Sequence, residues 1–246
     1  MDMVWVPNRD PRARIVLALS FSLVVVSLQV VPLLLLASAM ALLVMLGSGL
    51  VWRQTLKRML AMDGFILLML VMLPFTIPGD TWWQVGSLHA SWQGLWRAIE
   101  IALKANAVIL MLLALVGSME SVTLGQALGK LKVPMALVHL LLFTVRYIDV
   151  LKEEYQRLRQ AMKARAFEPA NNWHTYRSVG YLFGMLLVRA IERSERVLEA
   201  MKCRGFTGQL PMLVQLRMGL LDWLFMVVML LLMSSLLYLE IFHVLV

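Results

Sequence analysis

Charged residues are scarce in this 246-residue chain: 15% of its residues are Asp, Glu, Lys or Arg, whereas 61% are apolar. Soluble domains carry roughly 25% charged residues, so this composition excludes an ordinary soluble protein. The mean hydropathy of +0.77 indicates that lipid is the main solvent. Cysteine is also nearly absent, since Cys203 is the only one, which excludes a disulfide framework and a multi-cysteine metal site.

Two further absences narrow the chemistry. The four histidines, His89, His139, His174 and His243, are far apart, and no pair has catalytic or metal-ligating spacing. No G-x-x-x-x-G-K-[ST] segment occurs, so the chain cannot hold nucleotide phosphates in a P-loop. We therefore predict no catalytic residue, no metal site and no cofactor. Energy for any active process is expected from another subunit or from an ion gradient.

Five apolar runs are each near the roughly 20 residues that a helix needs to cross hydrocarbon. They occupy residues 15–29, 33–51, 64–77, 98–117 and 219–239. We predict an all-α, polytopic helical membrane protein with about five transmembrane helices. No small-residue cleavage site follows the first run, so we do not expect a cleaved signal peptide.

The basic residues near these runs predict the orientation of the chain. Arg9, Arg12 and Arg14 precede the first run, Arg53, Lys57 and Arg58 follow the second, and Lys130 and Lys132 follow the fourth. Short loops rich in Lys and Arg stay on the cytosolic side. The turn at 30–32 has no charge and the loop at 78–96 has only Asp80, so both are expected outside. The tryptophans of that loop suit the lipid headgroup layer: Trp82, Trp83, Trp92 and Trp96.

The segment 152–217 differs from the rest, because it holds twelve of the 23 basic residues and six of the 15 acidic ones. We predict two amphipathic cytosolic helices here. The first begins near Pro134, ends at Pro169 and has an apolar stripe of Leu151, Tyr155, Leu158 and Met162. The second follows 173–177, ends at Gly205, Gly208 and Pro211 and has a stripe of Leu187, Ile191, Leu198 and Met201, with Ser194 in the same stripe. The predicted division is membrane helices over 1–133, a cytosolic coupling-helix module over 134–211 and a last membrane helix over 212–246.

The ends of the two predicted cytosolic helices share a repeat. Residues 161–167 (AMKARAF) and 200–206 (AMKCRGF) agree at five of seven positions, 39 residues apart. A cation in the last turn of a helix is favoured by the macrodipole. Capping does not account for the Met before the Lys or for the Phe after the Arg, so we predict docking. Each end offers a guanidinium for carboxylates or backbone carbonyls, flanked by apolar side chains. Two such ends suit two copies of one partner.

Together with Asp10-Pro11-Arg12 before the first run, the repeat resembles the T component of energy-coupling factor transporters, over nearly the whole chain. The resemblance implies that two Ala-Arg-Gly motifs dock into two ABC-type ATPase subunits. It also implies that a separate membrane subunit binds the substrate. The implied docking residues are Ala164, Arg165, Ala166, Cys203, Arg204 and Gly205, supported by Met162, Lys163, Phe167, Met201, Lys202 and Phe206. Ala166 stands where the family has Gly, which argues against an identical left-handed ending at the first copy.

The compact length, the Asp-Pro-Arg opening and the apolar runs look most like the cobalt-group members, CbiQ, with nickel homologues close behind. That likeness implies a coupling subunit in a bacterial inner membrane that transmits ATP-driven movement to the substrate-binding subunit. Vitamin-importing versions of the T component are an alternative.

A self-sufficient secondary transporter is a second alternative, and it would place ionisable groups near the bilayer midplane. The polar and ionisable candidates for such a site are Gln29, Glu100, Lys104, Asn106 and Glu120. All of them lie nearer to the ends of the apolar runs than to their centres, which favours a role in interfacial anchoring or in helix contacts. A structural scaffold is the third. Nucleic acid is not expected as a partner, because the basic segment interleaves acids with its cations and contains no recognised binding motif.

Overall fold

A computed structural model describes residues 6–7, 9–49, 52–77, 81–85, 88–207 and 218–245, without the side chains of 81–90 and 243–245 and of some positions within 52–65. The helices are α1 (Pro11–Ser27), α2 (Val31–Leu46), α3 (Trp52–Thr76), α4 (Trp92–Leu115), α5 (Ser121–Lys130), α6 (Met135–Ala164), α7 (Trp173–Cys203) and α8 (Leu220–Leu245). Two short strands, β1 (Thr81–Val85) and β2 (Leu88–Ser91), pair antiparallel between α3 and α4. The all-α fold class is confirmed, and the hairpin is an addition that the sequence did not predict. The predicted positions Gly79, Asp80, Gly208 and Pro211 lie outside the described residues.

Each of the five predicted apolar runs lies largely in one helix, and these helices differ in length. Within the described residues, α4 and Leu220–Phe242 of α8 are long and apolar enough to cross a membrane. Helices α1 and α2 have 17 and 16 residues, or ~25 Å each at 1.5 Å per residue, against a hydrocarbon core of about 30 Å. The apolar part of α3 is Ile66–Thr76. The number of full crossings stays a prediction.

The first compact unit comprises Met1–Glu120 and Leu216–Val246, and its core joins α1, α2, α4 and α8. Helices α2 and α4 make its most extensive contact. Alanines are fully buried on both helices, at Ala37 and Ala41 of α2 and at Ala107 and Ala114 of α4. Small side chains let helix backbones approach closely, so these alanines account for the tight pair.

Two charged side chains, one buried and one half-buried, form hydrogen bonds with the backbone around the turn between α1 and α2. Glu240 of α8 is 6% exposed, and its carboxylate accepts the backbone N–H groups of Gln29 (2.8 Å) and Val30 (3.4 Å). Val30, at the N-cap of α2, supplies no side-chain cap itself. The Lys104 ammonium of α4 donates to the Val26 carbonyl at the end of α1 (3.4 Å). An anion therefore meets the positive end of α2 and a cation the negative end of α1, as the helix dipoles favour.

The Glu240 carboxylate is expected to stabilise the first unit measurably. Glu240→Ala leaves two N–H groups without their acceptor in apolar surroundings, so the free energy of unfolding should fall by about 1–3 kcal/mol. Glu240→Gln keeps one acceptor oxygen and should lose less. Thermal unfolding in detergent micelles measures both. The exchange Lys104→Glu with Glu240→Lys should be worse than either single change, because the helix dipoles keep their direction. Recovery in the exchanged variant would contradict this account.

The Asp-Pro-Arg segment forms the start of α1. Asp10 is the N-cap and its carboxylate accepts the Arg12 N–H (2.9 Å), while Pro11 occupies the first helical position. Arg14 is 2% exposed and donates to the Ser118 hydroxyl, just beyond the C-terminal end of α4. Arg9 pairs with Asp222 in the first turn of α8 (3.8 Å). Arg9 and Arg14 thus also hold helices together, besides flanking an apolar run.

The second compact unit comprises Ser121–Gln215 and contains α5, α6 and α7. It begins at 121 rather than at the predicted 134, because α5 packs closely on α6. A Cβ added at Gly125 of α5 would lie 2.7 Å from a Leu142 methyl of α6. Pro134 precedes α6 as predicted, but α6 ends at Ala164, five residues before Pro169.

The least exposed stripes of the two long helices differ from the predicted ones. On α6, Leu158 and Met162 are half-buried, whereas Glu154 takes the inward place predicted for Leu151 and Tyr155. On α7 the stripe consists of Leu182, Leu186, Ala190, Arg193, Val197 and Met201, of which only Met201 was predicted. The predicted members Leu187, Ile191 and Leu198 are instead 63%, 50% and 44% exposed. Apolar residues also occupy the exposed face of α7, so periodicity alone selected the wrong stripe for these three.

Candidate docking site

The first predicted docking end is a specific helix ending. Helix α6 stops at Ala164, with Arg165 as its C-cap. The Phe167 N–H donates to the Met162 carbonyl (3.1 Å), and the Ala166 N–H donates to the Lys163 carbonyl (3.0 Å). These two bonds define a Schellman motif, which satisfies carbonyls that the end of a helix otherwise leaves unpaired.

The second end repeats this geometry. The Phe206 N–H donates to the Met201 carbonyl (3.1 Å) and the Gly205 N–H to the Lys202 carbonyl (3.0 Å). Gly205 has φ +79° and Ala166 has φ +56°, so both ends use the left-handed conformation. The expectation that Ala166 argues against an identical ending is wrong. The cost of a left-handed alanine, roughly 1–2 kcal/mol, is offset by the bonds that close the helix.

The Met and the Phe of each repeat have a structural role. They occupy the two positions of the Schellman motif between which an apolar contact often forms. Met162, Phe167, Met201 and Phe206 are all half-buried. The Schellman geometry therefore offers a structural account of these residues beside docking. What the capping geometry leaves unexplained is the arginine at each C-cap.

Both arginines face solvent. Arg165 and Arg204 are exposed, and within the described part of the chain neither guanidinium forms a hydrogen bond or ion pair. Lys163 and Lys202, also exposed, lie in the last turns of the same helices. Cys203 is an exposed free thiol beside Arg204. Each end thus presents two cations on a rigid backbone, a geometry suited to carboxylates or carbonyls of a partner.

Exchanging Gly and Ala at the two left-handed positions should stabilise the first helix end and destabilise the second. Ala166→Gly removes the conformational cost and should protect the Phe167 amide, whereas Gly205→Ala should expose the Phe206 amide. A change of ~1 kcal/mol corresponds to about a five-fold change in opening. Hydrogen–deuterium exchange of these two amides measures the effect. Equal exchange in both variants and in the native chain would contradict the assigned endings.

Sequence reasoning missed two contacts made by charged side chains. Glu240 is the one carboxylate within the apolar stretch 223–242, and such an intramembrane acid is itself a signal. The ion pair between Glu154 and Arg189 joins α6 to α7 across 35 residues, and no spacing rule reveals it. Glu100 pairs with Lys104 (2.7 Å) and Arg97 (2.9 Å), in accord with the predicted helix contacts.

No group of three His, Cys, Asp or Glu side chains placed to hold a metal occurs among the described residues, which leave out the side chains of His89 and His243.

A family model described as cobalt transport protein, CbiQ, matches residues 4–216, which include both arginine ends. The chain belongs to the CbiQ family. The energy-coupling factor transporter transmembrane protein EcfT of Listeria innocua is 26% identical over 215 residues, which cover 83% of this chain and 81% of that protein. The cobalt transport protein CbiQ of Rhodobacter capsulatus is 26% identical over 121 residues, 49% of each chain. An uncharacterised Methanocaldococcus jannaschii protein is 36% identical over 84 residues, 34% of this chain and 31% of its own length.

These similarities confirm the resemblance to a T component that the repeat and the Asp-Pro-Arg segment predicted. The chain is a transmembrane component of the energy-coupling factor type, and its family model and two of its relatives are named as transport proteins. The matched parts span 31% and 49% of two of the three relatives.

Proposed function

We propose that this chain is the coupling subunit of an importer for cobalt or nickel. It transmits the movement of two ABC-type ATPase subunits to a separate membrane subunit that binds the substrate. The observation that supports this proposal is the pair of exposed arginines, Arg165 and Arg204, at two Schellman endings of the same geometry. Two equal ends on one chain match two copies of one partner surface.

The docking residues act together at each end. The Schellman bonds fix the backbone on which the arginine stands, so less conformational freedom is lost when the guanidinium binds. A bidentate bond to a carboxylate, or bonds to the carbonyls at a partner's helix end, then give direction as well as affinity. Lys163 and Lys202 add positive charge that attracts an acidic groove. The expected partner surface is acidic and present once on each ATPase subunit.

The orientation proposed for the chain places the coupling-helix module, 134–211, in the cytosol of a bacterium and the loop at 78–96 outside its inner membrane. The uneven distribution of Lys and Arg supports it. After replacement of Cys203 by Ser, a cysteine at Leu131 should react with an impermeant maleimide only in inverted vesicles. A cysteine at Gly79, which lies outside the described residues, should react in intact spheroplasts. Labelling of both from one side would refute the orientation.

The importer proposal is tested by metal uptake in cells that lack their own cobalt and nickel import. The chain should support uptake of radioactive cobalt or nickel only together with its ATPase and substrate-binding subunits. Replacing the P-loop lysine of the ATPase should abolish uptake. Uptake by the chain alone would show a secondary carrier and overturn the proposal. Comparing the two metals in parallel identifies the substrate.

A further inference from the structure

The long helices of the second unit are joined by one directional contact. Within the described residues, the ion pair between Glu154 of α6 and Arg189 of α7 is the single side-chain hydrogen bond or salt bridge between these helices. The helices have 30 and 31 residues, or ~45 Å each, yet they contact each other over a short stretch.

Glu154 occupies an unusual place for a carboxylate. It lies in the least exposed stripe of α6, between Val150 and Leu158, and its side chain is 12% exposed. The neighbouring Glu153 is 69% exposed and pairs with Arg157 within α6 itself. The adjacent carboxylates thus differ: one serves its own helix at the surface, and the other reaches the second helix.

An ion pair of this kind fixes geometry more than it adds stability. Arg189 is 46% exposed, and a pair open to water contributes little to the free energy of unfolding. Apolar contacts between helices are non-directional and tolerate sliding. A charge-assisted hydrogen bond has a preferred length and angle, so it selects one register and one crossing angle.

We propose that Glu154 and Arg189 form the fixed contact that sets the angle between α6 and α7, and with it the separation of Arg165 and Arg204. This inference rests on the proposed function, since docking gives that separation its meaning. Arg165 follows Glu154 by 11 residues and Arg204 follows Arg189 by 15, which place the arginines ~16 Å and ~22 Å along their helices from the contact. An end ~20 Å away moves about 3 Å for each ~10° of rotation, enough to misplace a bidentate bond.

Distances between spin labels test the proposal in the full-length chain in nanodiscs, without any ATPase. One label is attached to native Cys203 and the other to a cysteine replacing the exposed Gln160 near the end of α6. Glu154→Ala, which leaves Arg189 without an acceptor at this position, should shift or broaden the distance distribution. The exchange Glu154→Arg with Arg189→Glu should restore it, because the pair reforms with reversed charges. Glu153→Ala is the matched control and should leave the distribution as in the native chain.

A native distribution in Glu154→Ala, or no recovery in the exchanged variant, would overturn the proposal. These outcomes are independent of the docking proposal, since no ATPase is present. Reversing the charge of Arg165 and Arg204 should not change the measured distances. Failure of docking and failure of the fixed contact are therefore distinguishable.

Discussion

The variant that carries both Arg165→Glu and Arg204→Glu is expected to lose its ATPase subunits during purification in detergent. Each change removes the bonds of a guanidinium and places a carboxylate against the groups that accepted them. The expected loss of binding free energy is roughly 2–5 kcal/mol per site, which corresponds to a factor of about 30 to several thousand in affinity for the ATPase. Each single change should lower transport and transport-linked ATP hydrolysis. The ATPase retained per tagged chain, measured after affinity purification, checks the result.

The chain offers a matched control for this experiment. Arg157 and Arg196 lie on the same helices at the same offset of 39 residues, and their side chains are 71% and 66% exposed. Their charge reversal changes the net charge of the chain by the same amount but leaves the helix ends intact. Retention of the ATPase in the control, with its loss in the docking variant, is the expected pattern. Loss of the ATPase from both variants would show that general electrostatic attraction, rather than docking at the helix ends, holds the ATPase.

Replacing Ala41 by Leu is expected to disrupt the first unit. Ala41 is fully buried, in the core cluster that also holds Ala107 and Ala114 of α4. A leucine side chain would have to push α2 from its neighbours or take a strained rotamer, at a cost of about 1–3 kcal/mol and occasionally more. Adding Ala37→Leu, one turn earlier on α2, should destabilise the first unit further. The thermal unfolding temperature in micelles and the yield of monodisperse chain measure the effect.

Ala39→Leu controls for the hydrophobicity of the change. Ala39 lies between the two buried positions on α2 but is exposed. A leucine there meets lipid or detergent, so the unfolding temperature should stay within the experimental error of the native value. A loss as large as that in Ala41→Leu would show that the buried face of α2 is wrongly assigned.

The sequence predicted the class of fold and the existence of two similar ends, because these properties follow from local patterns. Apolar runs of near-membrane length identify helices whatever their neighbours. A repeat such as that at Arg165 and Arg204 is visible without any structure. The backbone conformation of the repeat was harder to predict from the sequence. Because Gly prefers the left-handed region more than Ala does, a different ending was expected at Ala166. The hydrogen bonds of the motif decide that conformation, and they depend on the whole turn.

Contacts between distant helices were beyond local patterns. Glu154 and Leu158 share a stripe by helical spacing, but no pattern shows that Arg189 lies opposite Glu154. The exposed face at Leu187 and Ile191 was assigned to the wrong side for a related reason. Periodicity finds apolar surface, whereas burial depends on what covers it. If the proposed function holds, part of that cover belongs to the partner subunits.

Cross-linking from the two helix ends tests the central claim most directly. A thiol-reactive photo-crosslinker is attached to native Cys203, to an Ala164→Cys variant that carries Cys203→Ser, or to both positions at once. Both native side chains are exposed beside a docking arginine. Irradiation of the purified complex should join either single position to one ATPase subunit, and the doubly labelled chain to two. Intact mass measurement gives the stoichiometry. An adduct from only one end, or adducts with lipid alone, would contradict a subunit that docks two ATPases through Arg165 and Arg204.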